Sequence, residues 1–132
     1  MRESSLESLL LLATLFVVHE KHAKAVTLLE GLYDVAPEDE RVLRLLGHSL
    51  IMEGRHERAL EIIRKLLAVS GAAMSGSDMA CALRLKASAL WRLNRAEEAR
   101  ATLEQSIAHL AQSPARPEPV KGAAPARRGL FG

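Results

Sequence analysis

The chain has 132 residues, 48% of them hydrophobic but only 3% aromatic; that balance suits one domain of packed helices and argues against a β-sandwich, whose strands draw on β-branched and aromatic residues. Its one cysteine, Cys81, rules out an internal disulfide and fits a reducing compartment, which points to the cytoplasm. The net charge of +2 is unevenly placed: residues 1–112 hold 14 Lys and Arg against 15 Asp and Glu, and residues 113–132 hold four against one, so a basic nucleic-acid-binding face on the folded part is not expected.

The apolar run Leu9 to Val18, broken only by Thr14, is too short to span a bilayer, which takes about 20 residues. Glu3 and Glu7 ahead of it, and His19-Glu20-Lys21-His22 behind it, are wrong for a signal peptide. It reads as a buried helix, with no membrane insertion, in which Leu9, Leu12 and Phe16 can face the next helix. Its apolar residues run round the whole cylinder, however, so Leu10, Leu11, Leu15, Val17 and Val18 cannot all be covered by one neighbour. A partner, or helix one of a second copy in a homodimer, is expected to cover the remainder.

A second helix follows over about 22–35 and stops at Pro37, after which Glu38-Asp39-Glu40 place negative charge where the next helix dipole favours it. Arg41 to Leu67 then reads as an αα-hairpin: Leu43, Leu46, Leu50 and Ile51 recur at helical spacing, Gly54 breaks the pattern, and Ala59, Leu60, Ile63, Leu66 and Leu67 restart it. Ser70 to Asp78, rich in Gly and Ser, reads as a loop, with Ser77 or Asp78 as the N-cap of a fifth helix. The predicted helices are thus about 5–18, 22–35, 39–53, 56–69, 78–92 and 96–111. Asn94 is expected to make the left-handed turn that Gly54 makes one unit earlier. Residues 113–132 contain four of the five prolines and are expected to be a disordered tail.

These units repeat. A shift of 34 residues places Ala13 on Gly47 and Ala25 on Ala59, and a further shift of 40 reaches Ala87 and Ala99, with the extra residues in the 70–78 loop. On this spacing, and on Leu43-x2-Leu46-Gly47-x2-Leu50 followed by Ala59-x3-Ile63, the chain resembles the tetratricopeptide repeat family over about 6–110. The resemblance implies an all-α solenoid of three helical hairpins (about 6–39, 40–73 and 80–112, forming a domain over 1–112). Within that family, the size and the Leu-rich first helix running into HAKAVTLLEGLYDVAPED resemble the small chaperones of bacterial type III secretion, of the export-apparatus or the needle-subunit kind. That likeness implies a cytoplasmic, non-enzymatic chaperone for a small secreted or export-apparatus protein bound as a helix. A self-associating scaffold outside secretion is the alternative.

No catalytic set assembles from the sequence, and no cofactor or metal is expected. His19-Glu20-Lys21-His22 misses the H-E-x-x-H spacing of zinc proteases, Gly71 and Gly76 lack a following Gly-Lys-Ser/Thr, and Cys81 in a helical pattern reads as a small hydrophobe. In stacked hairpins the first helix of each pair lines the concave side, which assigns Leu10, Thr14, Val17, Arg41, Arg44, His48, Ile51, Met52, Arg84, Ser88 and Trp91 to a partner-binding groove, with Leu11, Leu15 and Val18 added by the exposed side of helix one. The clamp by which some tetratricopeptide domains hold a C-terminal carboxylate is not expected, since the equivalent places read Leu10, Thr14, Leu45, Cys81 and Leu85.

Overall fold

A computed structural model describes residues 2–112; the expected tail, 113–132, lies outside the described residues. Six helices follow in order: α1 (Glu3–Val18), α2 (His22–Val35), α3 (Glu40–Met52), α4 (His56–Ser70), α5 (Gly76–Arg92) and α6 (Ala96–Gln112). They form three antiparallel hairpins stacked in chain order. Each hairpin's first helix packs on the second helix of the hairpin before it, and also touches that hairpin's first helix.

The three hairpin turns share one geometry. Glu20, Gly54 and Asn94 occupy equivalent places and all take the left-handed conformation, with φ of 60°, 81° and 62°. In each case the next residue's N–H reaches the carbonyl five residues back, Lys21 to Phe16, Arg55 to Leu50 and Arg95 to Leu90, at 2.7–2.9 Å. This is the Schellman closure that satisfies carbonyls at a helix C-terminus. Glycine and asparagine accept the positive φ readily, whereas glutamate holds it at a cost of about 1 kcal/mol. Glu20→Gly is therefore expected to stabilise the fold by about 0.5–1 kcal/mol, read as a shift of the urea midpoint at unchanged slope; an unchanged or lower midpoint would contradict the strain.

Between units two and three the expected loop is largely structured. Helix α4 runs on to Ser70, a single 3-10 turn covers Gly71–Ala73, and α5 begins at Gly76. Its N-cap is Ser75, whose Oγ accepts from the Asp78 N–H at 3.0 Å, rather than Ser77 or Asp78. Met74 packs on the core just ahead of that cap.

Small residues sit where helices cross most closely. Ala13, Gly47 and Ala87 in the first helices, and Ala25, Ala59 and Ala99 in the second, are all buried. The aliphatic core around them is built from Leu29, Leu43, Leu46, Leu50, Ile62, Ile63 and Leu66, each fully enclosed. On the α2–α4 side, Arg58 makes a two-pronged bond to Glu30 (2.8 and 3.1 Å) and its guanidinium lies 5.3 Å from the Tyr33 ring centre. That hydrogen bond, chiefly, holds the Glu30 carboxyl below its ordinary range.

Candidate functional site

The first helices α1, α3 and α5 lie side by side and form one face. A cleft of about 420 Å³ runs between α1 and α3, with Leu11, Thr14, Arg41, Arg44 and Leu45 among its walls. A second, of about 220 Å³, runs between α3 and α5 and is lined by Arg44, Leu45, His48, Cys81, Arg84 and Leu85. The two share Arg44 and Leu45, so the depression continues across all three hairpins. At the far end a third cleft of about 460 Å³, mostly apolar, opens between α5 and α6 around Ala87, Ser88, Trp91, Ala99 and Leu103, and shares Arg84 with the second.

The expected groove residues separate into three groups on this face. Thr14, Arg41, Arg44, His48 and Arg84 line the continuous depression, joined by Leu11. Ser88 and Trp91 belong to the end cleft, where the Trp91 ring is 61% exposed. The third group lies at or beyond the edge of the depression. Leu10 is buried at 6% exposure, because α1 meets its neighbours through the stripe Leu6, Leu10 and Ala13, and only the edge of Leu10 reaches the groove wall. Val17 and Ile51 are half-buried and packed on the core. Met52 is exposed just past the groove, at the C-terminus of α3. Leu12, expected to face helix two, is instead exposed together with Leu11, Leu15 and Val18, so that a row of four aliphatics runs along the outer side of α1.

The arginines are less available than their number suggests. Arg41 is held by Asp39 at 2.8 Å and Glu3 at 2.9 Å, hydrogen bonds that raise its pKa and depress that of Asp39. Arg44 pairs with Glu40 one turn earlier and comes within 4.0 Å of Asp78. Arg84 makes no ion pair among the described residues. Burial, and then the neighbouring His22 and Arg84, push the His48 pKa below its ordinary value, which favours the neutral ring. The His22 ring meets His48 edge-on at 6.2 Å between centres. The depression is thus mostly apolar, and Arg84 is a positive charge without an ion-pair partner where the second and third clefts join.

Cys81 is exposed in the α3–α5 cleft, not enclosed as a small hydrophobe. Among the described residues no helix is long and apolar enough to cross a membrane.

Tetratricopeptide repeat profiles match residues 10–78 and 82–105. Among solved structures, the chain is similar to the TPR domain of Arabidopsis FLU, with a TM-score of 0.76 and 23% identity over 84% of this chain and 98% of that one. It is also similar to MamA AMB-1 (TM-score 0.72, 20% identity, 82% of this chain) and to MamA MSR-1 (0.70, 20%, 81%). The chain spans 60% and 58% of the length of those two MamA chains. No curated protein matches it.

Proposed function

The chain belongs to the tetratricopeptide repeat family, and from that premise we propose that it is a non-enzymatic module that holds a helix of a partner protein along the face of α1, α3 and α5. The observation that carries this reading is the continuity of the depression, which passes from α1 to α5 over a mostly apolar floor with Arg84 left without an ion-pair partner at its far end. First helices spaced about 8–10 Å apart set α1 and α5 about 16–20 Å apart, the length of about three turns of helix. An amphipathic segment of that size, with an acidic group toward the α5 end, has the matching chemistry. The recognition is of side-chain pattern, not of a terminal carboxylate, since Arg41 and Arg44 are already engaged.

The narrower form of the proposal is a cytoplasmic chaperone for a small type III secretion protein, of the export-apparatus or needle-subunit kind. It is supported by the chain's size and by the row of exposed aliphatics on its first helix, a surface suited to an aggregation-prone client. Co-expression with candidate small clients tests it: a stable one-to-one complex with one of them is expected, and solubility unaffected by any of them would contradict it.

Trp91 supplies the anchor. Exposed aromatic residues set in apolar clefts dominate binding energy when a partner covers them, so Trp91→Ala is expected to weaken the partner by about thirtyfold, on the order of 2 kcal/mol. The ring is mostly in solvent, and the free variant should keep its helicity and melting temperature. Calorimetric titration checks the affinity and circular dichroism the fold; unchanged affinity in a folded variant would remove Trp91 as the anchor, and loss of fold would return it to the core.

A further inference from the structure

The two ends of the stack are unfinished in complementary ways. Within the chain, α3 packs on α2 and α5 packs on α4 through a repeated joint. On the second helices, Leu29 of α2 and Ile63 of α4 are fully buried, and Leu60 of α4 clusters with Ala89 and Leu90 of α5. The counterpart of Leu29 and Ile63 in the third hairpin is Leu103, which is 45% exposed, and beside it Ile107 is 60% exposed where Leu67 is packed on the core one unit earlier. On the incoming side, Leu46 and Ser49 of α3 are fully buried, while their counterparts in α1, Leu12 and Leu15, are 41% and 46% exposed. Among the described residues, then, no first helix follows on α6 and no second helix covers the outer side of α1. Solenoids ordinarily close such ends with polar caps, and here both are apolar.

We propose that these ends are each other's partners: α1 of one copy stacks on α5 and α6 of another, extending the internal α2–α3 and α4–α5 joint from molecule to molecule. The occupant is a second copy of this chain, because the surface presented by α1 occupies the same repeat positions that α3 and α5 use inside the chain. Charge agrees with the register. At the α3–α5 contact, Arg44 approaches Asp78. The counterpart of Arg44 in the third hairpin is Arg84, without an ion pair among the described residues, and the counterpart of Asp78 in α1 is Ser4, beside Glu3 and Glu7, which lie 2.9 and 3.9 Å from Arg41 but keep 67% and 62% of their side chains exposed. Arg100 stands where Leu60 fills the α4–α5 joint and borders the same cleft, and its guanidinium, 3.3 Å from Glu97, is the polar exception at this end. The contact is heterologous, so it leaves one free end of each kind and grows into a filament instead of closing as a symmetric dimer. This goes beyond the groove reading and shares residues with it, since Leu11 borders the α1–α3 cleft and Arg84, Trp91 and Leu103 line the α5–α6 cleft; the test uses the chain alone, so its outcome is read separately from the binding of any other protein.

Two variants test it, each blocking one end of the full chain: Leu11→Glu with Leu15→Glu at α1, and Leu103→Glu with Ile107→Glu at α6. Sedimentation velocity of the wild-type chain should show a mass that rises with concentration beyond the dimer. Each blocked variant alone should be a monomer, and an equimolar mixture of the two should form a one-to-one dimer and nothing larger, since each supplies the end that the other lacks. If the α6 variant unfolds by circular dichroism, Trp91→Glu blocks the same end at an exposed position and takes its place in the mixture. A mixture that stays monomeric overturns the proposal. So does continued dimerisation of the α6-blocked variant, which would mean a symmetric contact through α1. A wild-type chain that is monomeric at every concentration also overturns it, and one that assembles only after deletion of 113–132 would assign the α6 end to the chain's own C-terminal segment.

Discussion

Gly47→Leu is expected to cost about 3 kcal/mol, a large share of the 5–15 kcal/mol that holds a typical domain folded. A Cβ on Gly47 would stand 3.0 Å from Cγ1 of Ile63, a side chain with no exposed surface into which it could retreat. Leucine adds three more carbons at the same place, so α3 and α4 must separate, and their separation disturbs every joint of the stack. Ala59→Leu loads the same crossing from the α4 side and should cost a similar amount. Gly31 provides the control. It lies inside α2, is exposed, and a Cβ there meets nothing within 4 Å, so Gly31→Ala should stabilise by about 0.5–1 kcal/mol through helix propensity alone. Thermal melts separate the two cases, with Gly47→Leu falling by about 10 °C or more. A Gly47→Leu protein that melts with the wild type would mean that the α3–α4 crossing is not as close as described.

The second large effect concerns association. Leu11, Leu12, Leu15 and Val18 leave 41–66% of their surfaces in water along one side of α1. Burying such a side chain completely contributes about 1.5–3 kcal/mol, so half-burying four of them offers several kcal/mol to any partner that fits. Leu11→Glu together with Leu15→Glu should abolish both self-association and capture of a client that uses this surface. The fold should survive the change, because neither side chain belongs to the buried stripe of Leu6, Leu10 and Ala13. Light scattering of the variant should give a sharp monomer at concentrations where the wild-type chain is heterogeneous. A wild-type chain that is already monomeric and monodisperse at high concentration would remove the reason for expecting any cover on α1.

The repeat was legible because period and punctuation agree. Small residues return at Ala13, Gly47 and Ala87, and a left-handed turn returns at Gly54 and Asn94, so helix positions followed to within two residues at most ends. The phase of α1 was not legible. With apolar residues on every side, Leu10 and Leu12 are equivalent as text, and only packing against α2 and α3 buries the first and exposes the second. The turn at Glu20 was hidden for a related reason, since a glutamate gives no local sign that it must take positive φ. The cap at Ser75 lay among several candidate serines, with Met74 packed on the core just ahead of it. Groove charge failed on distance along the chain. Arg41 finds Glu3 across 38 residues, and no spacing rule anticipates that pair. The groove lining itself was readable at Thr14, Arg44, His48 and Arg84 because those positions are fixed by the repeat register alone.

If the face of α1, α3 and α5 holds a partner's helix, photo-crosslinking from within that face should capture it. A photoreactive amino acid replaces His48, half-buried in the α3–α5 cleft, in the full chain expressed with a candidate client, and in a second sample replaces Arg64, exposed on α4 away from the cleft. The expected result is one discrete crosslinked product from position 48, mapped to a single helical segment of the client, and none from position 64. Equal crosslinking from both positions, or a complex that forms with no product at position 48, would contradict the assignment of the groove as the binding site.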